Sequence, residues 1–427
     1  MPPSNTNILN NRATFIIYGA VAVYAAAFQA QLPVQPYLIQ SMSNDAVTVF
    51  TGLRTFIAVL QLFGSLLSGW LIDKMGARKV LLLSLGASAL SYAITAKATT
   101  LTLVFIAQAP TLFQHAVLAA RSYLTVVVPP GAQRAIVLGR ITFAYAIGMV
   151  VGPSAGGFLA AFDVTYSALF AAAGSLASLV LVYLYLPEAT LIDIGWPMEA
   201  DGVTKRANED EPTMMMTKVS VSNNNSTSSG GGGGGGGGYS ALLAIPGVLP
   251  ALCVKTIFYS SLAIFTSAFQ LLALDRFKLD AATVGTILSV FGAFSIVGST
   301  LVVPFVRSRM APTQACIIAA SIFSMTLFFF SAVTTTEHIF LLTIPQAISS
   351  VLFTTINSGE MSGLVPQNLQ GSLHAADMAL SSGLRIVSPV LSAFLIFYAG
   401  FYSIGITTGT LMLLVAVLFS MGIGTTD

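Results

Sequence analysis

Apolar residues run through this chain in blocks too long for the core of a water-soluble domain. Twelve blocks reach the roughly 20 residues that a helix needs to cross a bilayer. The first six lie at 13–38, 50–72, 80–97, 100–128, 133–161 and 164–186, and the second six at 246–274, 282–306, 313–333, 338–364, 370–399 and 402–424. Polar residues fall in short breaks between blocks, except for one long stretch at 187–245. It holds Glu209-Asp210-Glu211, an Asn/Ser/Thr cluster at 222–229 and nine consecutive glycines from Gly230 to Gly238. So few apolar residues cannot offset the entropy of ordering the chain, and the stretch reads as a flexible linker. The pattern predicts an all-α membrane protein of twelve transmembrane helices in two pseudo-symmetric six-helix halves, 13–186 and 246–424. A tail at 1–12 precedes them and a short end at 425–427 follows.

Composition agrees and removes other classes. Charged residues are 8% of the chain, against roughly 25% in soluble domains, and the mean hydropathy is +0.83. The net charge of +2 offers nucleic acid nothing to hold. Cys253 and Cys316 sit in apolar blocks without paired spacing, so neither a disulfide nor a metal site is expected. With three histidines and no metal-spaced or nucleophilic cluster, no enzyme and no cofactor is expected. The glycine run has no strand before it and no Lys-Ser/Thr after it, which rules out a phosphate loop. The first apolar block lacks a small-residue cleavage site and reads as a retained signal-anchor.

The basic residues set the orientation. With the N-terminus inside, Arg12, Lys74, Arg78, Lys79, Arg134, Lys205, Arg206, Lys218, Arg307 and Arg309 fall on the cytoplasmic side, ten in all, against Lys97, Arg276 and Lys278 opposite. Both termini and the linker are therefore expected in the cytoplasm. The glycosylation sequons at Asn224 and Asn225 are discounted on that ground. The expected partners are the lipid bilayer, a small-molecule substrate and protons, with no nucleic acid and the protein a monomer.

Two motifs carry conformational information. Gly148-Met-Val-Val-Gly152-Pro153-Ser-Ala-Gly156-Gly157 lies inside the fifth block. Pro153 removes a backbone donor and bends the helix, while Gly148, Gly152, Gly156 and Gly157 let a neighbouring helix come close. Ser388-Pro389-x-x-Ser392 is its weaker twin in the eleventh block. The second motif, Gly69-Trp-Leu-Ile-Asp73-Lys74-Met-Gly76-Ala-Arg78-Lys79, joins the second and third blocks. Gly76 permits a tight turn, Asp73 can accept from the start of a neighbouring helix, and Lys74, Arg78 and Lys79 can pair with that carboxylate or with anionic headgroups.

Ionisable groups inside a membrane are costly and usually functional. The basic ones are Arg54, Arg121, Arg140, Lys255 and Arg385, and the acidic ones Glu360 and Asp377. Gln29, Gln61, His115, Lys255 and Arg385 are the candidate substrate-binding residues, and His115 and Asp377 the candidate proton-coupling groups. Arg54 and Arg140 lie near helix ends and read as snorkelling or gate-sealing groups. Asp377 precedes Arg385 by two helical turns on the same face, and Glu360 can be drawn to Arg121. Such pairs would leave a neutral aromatic pocket for lipophilic solutes, whereas Lys255 and Arg385 without carboxylates would attract anions. Both pictures stay open at this point.

The 69–79 loop follows the signature Gly-x-Leu-Ala-Asp-Arg-x-Gly-Arg-Lys, with Ile72, Lys74 and Ala77 as departures. In this the chain resembles the major facilitator superfamily. The 148–157 decapeptide is similar to the fifth-helix signature of its drug:proton antiporter branch. Gln61-Leu-Phe-Gly-Ser, Gly76-Ala-Arg, Lys255 and Arg385 look like the atypical organic-cation-transporter-like carriers. The resemblance implies a secondary active, rocker-type carrier of small organic solutes, exporting lipophilic or cationic compounds with proton coupling. It also implies gating roles for Gly69, Asp73, Lys74, Gly76, Arg78 and the helix-five motif. Ile106-Ala-Gln108-Ala stands where the branch has an arginine, and Gln29 and Gln31 stand where it has an acidic residue. An organic anion carrier with a basic cavity and a non-transporting sensor or scaffold are the alternative readings.

Overall fold

The computed structural model describes residues 5–128, 132–188, 241–366 and 369–423. The expected linker between 189 and 240, with its glycine run, lies outside the described residues, as do positions 1–4 and 424–427. Twelve helices are long and apolar enough to span a membrane. They are α1 (Arg12–Gln40), α2 (Ala46–Met75), α3 (Ala77–Ala96), α4 (Leu101–Val127), α5 (Ile136–Ala160), α6 (Val164–Tyr185), α7 (Val248–Asp275), α8 (Ala281–Arg307), α9 (Pro312–Ser331), α10 (Thr336–Leu364), α11 (Ala376–Ala399) and α12 (Tyr402–Ser420). Large apolar side chains such as Phe15, Phe158, Leu176, Phe397 and Tyr398 point outward, as a lipid-facing belt requires.

Each half has its own core. In the first, Ile17, Leu81, Leu85, Tyr123, Leu124 and Ile141 are buried together. The second is rich in phenylalanine, with Phe258 stacked on Phe353 at 4.2 Å. The packing repeats between halves: α1 lies on α5 and α3 on α6, as α7 lies on α11 and α9 on α12. Small hydroxyls tie the helices, since Ser178 donates to the Ala20 carbonyl (3.1 Å) and Ser261 to that of Thr408 (2.8 Å). Hydrogen bonds of this kind hold helices together where lipid offers no hydrophobic drive.

One face carries the two ends of the linker, and the other is the far face. Four of the helices that begin at the far face, α2, α4, α6 and α8, are capped by their own polar residues: Asp45, Thr100, Asp163 and Asp280 accept from the backbone N–H groups of Thr48, Leu103, Thr165 and Thr283. The Thr165 hydrogen bonds hold the Asp163 carboxyl below the usual carboxylate range. At the linker face Gly76 adopts φ +86° between α2 and α3, a conformation that costs a side chain dearly. Arg78 then reaches across to the end of α6, donating to the Leu186 and Tyr183 carbonyls at 2.6 and 2.9 Å. Those carbonyls have no partner within their own helix.

Helices α1 and α4 are less regular than their apolar blocks suggest. The fourth block was expected as one helix over 100–128, but Pro110 breaks it: Leu101–Gln108 is α-helical, Ala109–Phe113 is 3₁₀, and the helix resumes at Ala116. In α1 the helix ends at Ala30 and restarts at Gln35, with Pro33 in the interval and Pro36 in the first turn of the restarted segment. The freed backbone groups bond again through tight i→i−3 turns, such as Leu32 N–H to the Gln29 carbonyl at 3.2 Å. Broken helices inside a membrane protein are tolerated where they line a cavity.

The halves meet along α5 against α8 and α2 against α11. Towards the far face the joint is tight. The Tyr37 hydroxyl donates to the Leu279 carbonyl and the Gln270 amide to that of Leu32. Ile39, Phe50, Leu53 and Val104 of the first half close over Leu271 of the second, with Ile57 and Ile396 packed against them.

Candidate substrate site

Beneath that seal, between the halves, lies a cavity of about 560 Å³. This is the size of pocket that holds drug-sized ligands. The first half contributes glutamines from its broken helices. Gln31 and Gln35 come from the gap in α1, and Gln108, Thr111 and Gln114 from the gap in α4, with Arg54 and Gln61 from α2. The second half contributes Tyr259, Thr266 and Ser267 from α7 and Ser381, Arg385 and Ser388 from α11. Phe28, Tyr92 and Phe291 complete the aromatic part of the wall.

Several of these polar groups are already held. Gln114 donates to the Tyr92 hydroxyl (3.1 Å) and Gln31 to that of Ser167 (3.2 Å). Ser267 and Ser388 share a hydrogen bond at 3.2 Å. The arginines are not neutralised. Arg54 leans towards the Phe50 ring at 5.8 Å, and Arg385 makes a long 3.5 Å contact to Ser382 on its own helix. Among the described residues that line the cavity, these two are charged and neither Asp nor Glu is present.

Of the residues expected to bind substrate, Gln61 and Arg385 stand in the wall. Gln29, by contrast, is buried against α5, where its Cβ blocks the space beside Gly152. His115 caps the second segment of α4 and packs on Gly64 of α2, its Nε2 buried without a partner. Lys255 lies one turn below Tyr259, only 4% exposed. Its Nζ is 2.8 Å from Asp377 Oδ1 and donates to the Ser358 hydroxyl at 3.1 Å. The contact with Asp377 is an ion pair rather than an aligned hydrogen bond.

Two expected pairings are corrected. Glu360 faces Arg307 at 3.4 Å instead of Arg121, which donates to Thr142 at 3.2 Å. Asp377 does share a face with Arg385, yet its carboxylate turns to Lys255 on α7. Arg54, read as a helix-end residue, lines the cavity because the far-face seal is only about two turns thick above it. The glutamines of α1 and α4 were signalled by proline within a span, which frees backbone and turns polar side chains inward.

The conformational residues fall into two settings. Gly148, Gly152 and Gly156 press on α1, where added Cβ atoms would lie 2.4, 2.5 and 2.0 Å from Ala25 or from the Ala26 and Ala30 carbonyls. Gly157 presses on Ala281 of α8, and Gly285 of α8 on the Pro153 carbonyl. Beside the proline, Ser154 N–H donates across to Ser289 at 3.0 Å. Gly69, on the other hand, has open space around it, Asp73 is exposed, and Lys74 lies over the Trp70 ring at 5.3 Å.

The architecture has known counterparts. The human organic anion transporter MFSD10 (TETRAN) superposes with a TM-score of 0.64 at 17% identity, covering 98% of this chain and all of that one. A POT family transporter in complex with a thioalcohol-conjugated peptide gives 0.70 at 10% identity, over 96% of each chain. In sequence, mouse solute carrier family 22 member 18 is 29% identical over 67% of this chain and 66% of its own length. The class H tetracycline resistance protein of Pasteurella multocida is 23% identical over 96% of this chain and 94% of its own. Residues 17–384 match the family model described as Major Facilitator Superfamily. That match spans both halves and every helix that lines the cavity up to Arg385, so this chain is a multi-pass membrane protein belonging to the Major Facilitator Superfamily.

Proposed function

We propose that this protein is a secondary active transporter of small organic anions, working by alternating access of the central cavity. The observation that carries this reading is the pair of guanidinium groups, Arg54 and Arg385, in a cavity lined by no carboxylate. A cation entering it would meet two like charges in a medium that screens them poorly. An anion would find donors prepared for it. The expectation of cationic substrates came from the resemblance and that of lipophilic ones from pairs that would neutralise the cavity, but Asp377 is engaged with Lys255 below the cavity and Glu360 with Arg307. The organic anion transporter MFSD10, which shares this fold, supports the same sign.

In this reading the linker face is cytoplasmic and the far-face seal closes the outer side. The Gly76 loop is a latch that grips a neighbouring helix start when the inner side closes, and the exposure of Asp73 fits its released form. Proton coupling is assigned to Asp377: a proton there frees Lys255 to turn towards Tyr259 and the cavity, with the Tyr259 ring already 5.7 Å away. His115 is the lesser candidate because it lies behind the wall. Uptake into proteoliposomes by a panel of organic anions and cations, with and without a pH gradient, tests the reading. Accumulation of anions is expected, and cation uptake without anion uptake would overturn it.

A further inference from the structure

The two arginines differ in one respect that bears on substrate charge: Arg54 belongs to α2 of the first half and Arg385 to α11 of the second. These helices pack against each other, and both guanidinium groups line the same cavity. Neither has a carboxylate partner among the described residues, and the neighbours that α1, α4 and α7 present to them are amides, hydroxyls and aromatic rings. Each uncompensated charge inside a membrane span is costly. A singly charged anion relieves one guanidinium and leaves the other as it was.

Resting on the anion reading above, we propose that the preferred substrate is a dianion, an aromatic dicarboxylate or aryl phosphate, whose two charges bridge Arg54 and Arg385 across the halves. Guanidinium is suited to this, since its planar fork pairs with carboxylate or phosphate oxygens two at a time. The rings of Phe28, Tyr92, Tyr259 and Phe291 supply apolar faces for the body between or beside the charges. Bridging also ties occupancy to conformation. The same α2 and α11 already meet further out, where Phe50 and Leu53 of α2 and Ile396 of α11 belong to the far-face seal. A ligand that draws Arg54 and Arg385 together therefore favours the state in which that seal is shut. A monoanion held by one arginine has no such leverage.

The test uses the full-length protein in nanodiscs and three probes of similar body: benzoate, isophthalate and, at a pH where its phosphate is doubly ionised, phenyl phosphate. In the wild type, isophthalate and phenyl phosphate are expected to bind roughly ten- to a hundredfold tighter than benzoate, the range for one added charge-assisted hydrogen bond. Arg54→Gln and Arg385→Gln should each bring that ratio close to one by weakening the dianions alone. Arg54→Lys and Arg385→Lys keep the charge and should retain most of the preference, which separates the effect from misfolding. Equal binding of benzoate and isophthalate by the wild type, or a ratio that survives in both Gln variants, would overturn the inference while leaving the anion reading intact. If all three anions fail to bind and an organic cation does, the anion reading falls as well.

Discussion

Helices α5 and α11, each with a proline in its interior, occupy matching places in the two halves and are built in opposite ways. Along α5 four glycines and Pro153 bring backbone against backbone, with Gly156 on Ala30 and Gly157 on Ala281. Even one methyl group has no room in that joint. Along α11 the twin positions are serines: Ser388 bonds to Ser267 of α7, and Ser392 to the Pro389 carbonyl on its own helix (2.9 Å). Ser388, Pro389 and Arg385 look into the cavity, and Gly383 has nothing within 4 Å of where a Cβ would stand. A symmetric rocker would need the two helices to be alike. In the alternating-access cycle proposed above, the difference would make α5 the pivot against α8 and α11 the wall that meets substrate.

The largest effect should come from the charge buried beside α11. Asp377→Ala leaves Lys255, 4% exposed, without its partner. Loss of about 3–5 kcal/mol of stability is expected, as for other buried pairs broken on one side. Thermal melting in detergent measures it, and the double variant Lys255→Met with Asp377→Leu should recover most of the loss, because it leaves no buried charge. A single variant that melts like the wild type would show that water already reaches Lys255.

Glycine substitutions set the two helices against each other directly. In Gly157→Val the Cβ alone would come within 2.3 Å of the Ala281 carbonyl oxygen, which is backbone and cannot swing away. Overpacking of this kind costs about 1–3 kcal/mol, and transport should fall to background because the pivot is forced apart. Gly383→Ala on α11 meets open space and should instead gain up to about 1 kcal/mol from helix propensity. If both variants behaved alike, the contrast between pivot and wall would be lost.

Much of this contrast was legible in the sequence. The twelve spans, the halves and the Gly-Pro motif all follow from apolar block length and from proline and glycine placement, which local chemistry governs. The cavity was legible only in part. Gln61 and Arg385 were found because a polar or charged group inside a span seeks the interior. Arg54 was set aside by its distance from a helix end, a criterion that ignores how thin the seal above it is. Gln108 and Gln114 were passed over because an uncharged amide is a weak signal until Pro110 is seen to break the helix around it. The Lys255 pair with Asp377 joins residues 122 positions apart, and no helical periodicity reports such a contact.

The hydroxyl pair of the moving wall offers a smaller test. Ser388→Ala removes the hydrogen bond to Ser267, both residues being buried. The expected cost is about 0.5–1.5 kcal/mol. Because Ser388 also lines the cavity, affinity for anions should weaken by no more than a few-fold, well short of the loss expected from Arg385→Gln. A Ser388 variant as severe as the arginine variant would move the binding site along α11 towards its kink.

The smallest change in stability, and the most telling, is expected at the loop between α2 and α3. Asp73 is exposed and Gly69 has free space around it, so Asp73→Asn and Gly69→Ala should each leave the melting temperature nearly unchanged, within about 0.5 kcal/mol for a surface site. Neither residue has an evident task in the state described here, in which the far face is shut. If the loop grips a neighbouring helix start when the linker face closes, the Asp73 carboxylate loses a favourable helix-terminus interaction in that state alone, about 0.3–1 kcal/mol at an exposed site. The added methyl at Gly69 would obstruct the same approach. Exchange rates should then fall several-fold in both variants with substrate affinity unaltered, because only one of the two end states is disturbed. Spin-label distances across the linker face would show the population shifted towards the open form. Unchanged rates in both variants would mean that the α5 pivot and the α11 wall complete the cycle without a latch.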